Sequence, residues 1–278
     1  MDTSLFISSG ALQSFQKKVD TISNNVANVN TNGFKRREAT FTEILASQIN
    51  QVSQGQEQGR LTPSGIREGF GSRLGLTQLE MDQGQAIQTG NPFDLMIQGN
   101  GFFKLQTNEG IRYTRDGAFH LSPNPTTPGT YNLVTQSGGI LQNENGQPVV
   151  LNDLDKISIN TNGEILVKGQ RAEILVNGQR VPLPKIAVVN INNPHILSNV
   201  GDNEYQIDPN AIPNGTNPTT YEQPSTSQIS TGYLEGSNVD LTKEMADLMV
   251  SQRGFQLNSR AVSYADQMMG IANNIIKE

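Results

Sequence analysis

Residues able to do chemistry are sparse. Two histidines, His120 and His195, stand far apart, and there is no cysteine. Missing thiols exclude disulfides, thiolate nucleophiles and cysteine metal sites, and fit work outside a reducing compartment. Each lone histidine reads as a loop residue, not a ligand or a base. Gly99-Asn-Gly101 opens like a dinucleotide fingerprint, but Lys104 stands in place of the third glycine. Arg115 and Asp116, inside Tyr113-Thr-Arg-Asp-Gly117, offer a catalytic-looking pair; a surface ion pair flanking a turn is the expectation. Lys35-Arg36-Arg37 is short for a nucleic-acid patch, and the net charge of -6 disfavours a phosphate-binding surface. No phosphate loop, His-Glu-x-x-His run, nucleophile elbow or calcium-loop spacing occurs. The reading is of no enzyme, no cofactor and no metal site.

The elements that would carry any function are more informative. Leu12, Phe15, Val19, Ile22, Val26 and Val29 recur at alternating steps of three and four, with Leu5 continuing the series. That is the seam of a heptad helix, expected from about Ser4 to Thr31. Asn32-Gly33 would end it, with Phe34 folding back and Lys35 to Arg37 facing the negative end of its dipole. Asn24, Asn25, Asn28 and Asn30 lie off the seam, as solvated amides or as amides bonding between packed chains. Phe41, Ile44, Leu45, Ile49 and Val52 predict a second short helix that fades into the polar stretch Gln54–Arg60.

From about Arg73 the period changes. Short apolar runs alternate with Asn100-Gly101, Asp116-Gly117, Asn145-Gly146, Asn162-Gly163 and Asn177-Gly178. Such dipeptides suit type I′ hairpin turns, so an antiparallel β-domain is expected. Proline-rich Ser122–Thr130 and Asp208–Ser227 read as loops. Glu164–Arg171 recurs as Glu173–Arg180, a local duplication that adds a strand or lengthens a hairpin.

Helical spacing returns after Ser237, with Asn238 or Asp240 as N-cap and Glu244 near the first turn. Leu241, Leu248, Phe255, Val262, Met269 and Ile276 recur every seven residues. A second column, Leu257, Ala261, Tyr264, Met268, Ile271 and Ile275, lies near the opposite side of the wheel. Apolar flanks on both sides imply burial between layers. Only one other long helix is in sight, so neighbouring copies are the expected partners; an intramolecular helical subdomain in a monomer is the alternative.

The fold class is α+β, with long terminal helices packing as a coiled-coil-like subdomain around a central antiparallel β-rich domain. Segments are expected at 1–52 (helical assembly segment), 53–72 (linker), 73–234 (β-rich domain) and 235–278 (helical assembly segment). A hydrophobic fraction of 35% is lean for an enzyme yet above the disordered class. No run approaches the roughly 20 apolar residues of a membrane span. The acidic start Met-Asp-Thr-Ser-Leu-Phe-Ile does not read as a cleavable signal peptide.

Ile22–Lys35, Thr89–Leu95, Gly99–Phe103, Tyr113–Phe119, Leu234–Asp240, Gln252-Arg253 and Asn258–Val262 together resemble the bacterial flagellar rod and hook protein family, in order and over most of the chain. Asn24, Asn25, Asn28, Asn30, Gly33, Phe34 and Lys35 fall in what resembles its N-terminal signature. The resemblance implies a structural subunit that leaves through the flagellar type III export apparatus. It would polymerise with itself and with other rod and hook proteins into a helical tube of the basal body that transmits torque to the hook. Leu61–Ile66 looks most like the distal-rod type; a proximal-rod or hook-type paralogue is the alternative. The duplication and the long Asp208–Ser227 loop depart from the family pattern. From another class, a secreted carbohydrate-active β-protein would need two carboxylates converging in a cleft, and a soluble adhesin or scaffold module would be a rigid monomer.

Overall fold

Strand Phe102–Thr107 shows how the β-rich part is built. Its side chains alternate across the sheet, so Phe102 enters one apolar cluster while Phe103 and Leu105 enter another. Phe103 meets Phe119 edge-on at 5.3 Å, and Phe102 meets Tyr205 at 5.8 Å. The computed structural model describes residues 2–43, 46–49, 66–69, 71–125, 127–151, 157–167, 170–171, 173–176, 179–182, 185–209, 211–212, 218–225 and 227–276. It divides into two compact units: one of 1–27, 37–78 and 240–278, the other of 28–36 and 79–239.

In the second unit a ten-stranded sheet runs, in spatial order, Val150–Leu151, Tyr131–Val134, Ile140–Leu141, Phe102–Thr107, Gly110–Thr114, Glu204–Ile207 and Leu197–Gly201. Strands His120–Pro123, Val188–Ile191 and Glu222–Pro224 join it from the side. All these registers are antiparallel, as the turn-rich sequence implies. Glu222–Pro224 lies inside the segment expected to be loop; it pairs on one side only, where a proline costs no ladder bond.

The turns differ in type from expectation. At Asn145-Gly146 and Asn162-Gly163 only glycine takes positive φ (74° and 75°). Each loop is a type I turn closed by a left-handed glycine, with the Gly163 amide bonded to the Asn160 carbonyl and the Gly146 amide to that of Asn143. The turn with positive φ at both central residues is Asp202-Asn203, which carries no glycine. Asp116-Gly117 and Asn100-Gly101 close no hairpin. Asn177-Gly178 lies outside the described residues. The duplicated segment makes two successive hairpins, Ile165–Val167 with Gln170–Arg171 and Glu173–Val176 with Gln179–Pro182.

The first unit holds helices α1 (Asp2–Ala27) and α2 (Leu241–Ile276). α1 stops four residues before the expected end: Asn28 to Thr31 form a turn in which the Thr31 hydroxyl reaches the Asn28 side chain at 3.1 Å. Val29 therefore falls beyond the helix. The expected second helix is instead two strands, Arg37–Glu43 and Ala46–Ile49, pairing with Ser72–Leu79 and Ile66–Gly69. Thr40, Phe41 and Thr42 favour extended backbone, and Phe41 packs on Phe15 at 5.5 Å beneath the Lys18 ammonium. Ile44, Leu45, Val52 and the linker residues 53–65 lie outside the described residues. Asp240 caps α2, its carboxylate accepting from the Thr242 amide at 2.8 Å.

Candidate assembly surface and a buried ion cluster

Helices α1 and α2 touch along a line that is more polar than the sequence implies. Glu244 and Ser251 are buried on α2, with Asn258 and Ala265 half-buried on the same line. The Asn25 amide donates to Glu244 Oε2 at 3.1 Å and to the Arg37 carbonyl, while its oxygen accepts from the Arg37 amide. Asn25 is thus an intrachain tie, neither solvated nor between copies. Asn28 is half-buried; Asn24 and Asn30 are exposed. Phe15 lies over Gly254, where a Cβ would stand 2.6 Å from its ring.

Of the expected seams, Ile22 is buried, and Leu5, Leu12, Phe15, Val19, Val26, Leu248, Val262 and Met269 are half-buried. Leu241 and Phe255 are exposed, at 43% and 36%. Polar and small residues occupy the other half of that heptad line, so the apolar half is not drawn fully inward. The second column is open: Leu257, Tyr264, Met268 and Ile271 expose 58–65% of their surface, and Ala261 is exposed beside them. Val250, at the same heptad position as Leu257, Tyr264 and Ile271, extends the column by a further two turns. Its spacing of seven is visible in the sequence. Ile275 and Ile276 lie at the end of α2. Rows of exposed apolar side chains of this length mark interaction surfaces.

The second unit holds an ion cluster that sequence reasoning missed. Lys35, Arg115 and Glu235 are each 1% exposed. The Lys35 ammonium donates to Glu235 Oε1 at 2.7 Å and to the Asp82 carbonyl at 2.8 Å. The Arg115 guanidinium donates to the Gly99 and Gly101 carbonyls, both at 2.6 Å. Its Nε lies 2.9 Å from Glu235 Oε2 but is not aligned as a hydrogen bond, so that contact is one of charge. Burial pulls both cations below their ordinary pKa, against the opposing pull of Glu235.

Neither basic group behaves as expected. Arg115 is no surface partner of Asp116; it bridges backbone carbonyls inside the sheet. Lys35 and Arg36 do not meet a helix end: Arg36 pairs with Glu80 at 2.7 Å, and its amide donates to Asn238 Oδ1 at 2.7 Å. Asn238 is not the helix cap; its amide nitrogen reaches the Glu80 and Asp82 carbonyls. Gly33, at φ 68°, donates to the Glu235 carbonyl at 2.6 Å and passes so close to Arg115 and Asp116 that a Cβ would meet their backbone within 2.8 Å. Phe34 is buried beside it in the chain.

Burial raises the Asp116 pKa, with Asp94 nearby adding to the shift and the Ala118 amide and His120 opposing it. A raised folded-state pKa means the folded chain binds more protons, so this carboxyl withdraws stability as pH rises from the ordinary carboxylate range through the raised value. Asp116→Asn, which keeps an oxygen for Ala118, is expected to raise the thermal midpoint near neutral pH and to leave it unchanged in acid. Thermal scans across pH check this; an equal shift at both ends would contradict it. His120 and His195 are exposed, and no group of three or more potential metal ligands occurs among the described residues.

Comparison with known proteins gives the family. Three family models match in order: "Flagella basal body rod protein" at residues 5–35, "Flagellar hook protein FlgE/F/G D1 domain" at 96–167, and "Flagellar basal body rod FlgEFG protein C-terminal" at 230–275. The chain is 33% identical over 277 residues to the flagellar hook-basal body complex protein FlhP of Bacillus subtilis, covering 98% of each. It is 33% identical to the flagellar basal-body rod protein FlgG of Buchnera aphidicola subsp. Baizongia pistaciae, over 97% of this chain and 98% of that one. To FlgG of Bacillus subtilis it is 32% identical over 96% of both. With whole-length relatives at this identity, and with matched segments that fall on α1, part of the sheet and α2, the chain belongs to the flagellar basal-body rod protein family.

Proposed function

We propose that the protein is a structural, non-enzymatic subunit of the flagellar basal-body rod, of the distal type. The open apolar column on α2 carries this reading. Residues 1–52 and 235–278 are the assembly segments, and the helices of neighbouring copies cover the column in coiled-coil-like packing. Leu5, Leu12, Phe15, Val19, Ile22, Val26, Leu241, Leu248, Phe255 and Val262 form the assembly interface with the α2 column; Ile275 extends that column. The β-rich unit, residues 28–36 and 79–239, makes the remaining subunit contacts. Close packing along such seams resists shear and so passes torque to the hook. The chain reaches its place through the flagellar type III export apparatus, with Asn24 to Lys35 as the segment read there. No described helix is long and apolar enough to cross a membrane.

A tag inserted in Asp208–Ser227 and located in density of intact basal bodies tests the assignment. Label on the rod next to the hook is expected. Label lower on the rod makes the chain a proximal-rod type, and label beyond the rod a hook type. Basal bodies without label remove the rod reading altogether.

A further inference from the structure

The buried cluster draws its parts from distant places: Lys35 just after α1, Arg115 in the middle of the chain, and Glu235 shortly before α2. Glu235 carries the carboxylate that both cations face, and it also accepts from the Gly84 amide at 2.9 Å. Its own carbonyl holds the Gly33 amide, and three residues on Asn238 holds the Arg36 amide. The seat of residues 28–36 thus joins earlier residues, Glu80, Asp82 and Arg115, to Asn203, Glu235 and Asn238, which are synthesised late. We propose that Lys35, Arg115 and Glu235 form a completion latch: the 28–36 segment seats in its unit only when residue 235 has joined, because until then Lys35 would be buried beside Arg115 without the one carboxylate that both cations touch. This inference rests on the cluster's geometry and not on the rod assignment.

Two buried like charges without a counter-ion are strongly disfavoured, and a carboxylate between them converts repulsion into two attractions. A chain lacking its last segment thus keeps 28–36, the stretch that directly follows α1, open. The sheet itself does not need the latch, since its two apolar clusters contain neither Lys35 nor Glu235.

Amide hydrogen exchange on full-length Glu235→Gln, Lys35→Met and the double variant tests it. Glu235→Gln is expected to speed exchange in 28–36 by roughly 100-fold while Phe102–Thr114 stays protected. The double variant, with one cation removed, is expected to exchange more slowly there than Glu235→Gln alone. Unchanged exchange in 28–36 overturns the latch, as does a rise shared equally with Phe102–Thr114. A double variant as fast as the single one overturns it too, because shape and not charge would then seat the segment. Should Glu235→Gln fail to fold, recovery of folded protein on adding Lys35→Met supports the latch and no recovery overturns it.

Discussion

Leu257→Glu combined with Ile271→Glu is expected to abolish rod assembly while leaving the subunit folded. Both side chains are more than 60% exposed in the single chain, so neither change removes much folded-state packing. Exposed substitutions of this kind shift stability by about 0.5 kcal/mol or less. In the proposed rod the same positions would lie against a neighbour. Covering each apolar side chain there contributes about 1.5–3 kcal/mol, and a buried unpaired carboxylate reverses the sign. Two sites together weaken each subunit contact by roughly 1,000-fold or more, since every 1.4 kcal/mol is about tenfold. Circular dichroism and the thermal midpoint should match the parent, while cells carrying the pair should lack hooks and fail to swim. Normal motility would show that the α2 column faces no neighbour. Glutamate at Gln256 and Ser259, exposed but outside the column, is the matched control for added charge.

The contrast between column and seam shows what the sequence could reveal. A repeat of seven apolar residues announces a helix and two faces, and both helices are present. It does not say which face is covered within the chain. On α2 the covered line runs through Glu244, Ser251 and Asn258, whose polarity hides them from a search for apolar repeats. Small size and a specific tie, Ser251 beside Gly254 under Phe15 and Glu244 to Asn25, decide that packing at close range. The strands at 37–49 were misread because Phe41, Ile44, Leu45 and Ile49 fit helical spacing, whereas Thr40 and Thr42 hold extended backbone. Spacing alone puts Lys35 at a helix end and Arg115 in a surface ion pair, since cations are seldom fully buried. Their burial depends on Glu235, a residue 200 positions from Lys35 in sequence.

One motif glycine makes a sharper prediction, because the chain meets itself there. Gly117 was expected in a hairpin turn, but it lies flat against the strand Leu95–Gln98. The Leu95 amide donates to the Gly117 carbonyl at 3.0 Å, and a Cβ on Gly117 would fall 1.6 Å from the Leu95 carbonyl oxygen and 2.7 Å from its carbon. Those are backbone atoms of a strand whose residues Leu95 and Ile97 are fully buried in the same cluster as Phe103 and Phe119. No side chain can swing away to make room. Gly117→Ala must push the strand out of register with that cluster, stacking overpacking on a lost hydrogen bond. The expected cost is about 4 kcal/mol or more, at the extreme of single substitutions. Gly270 supplies the opposite case: it sits on an exposed turn of α2 with no atom within 4 Å of a built Cβ. There the same substitution gains roughly 0.5–1 kcal/mol of helix stability. Urea unfolding followed by near-ultraviolet circular dichroism measures both. A Gly117→Ala midpoint close to the parent would mean that the strand at Leu95 is not held where its apolar cluster requires it.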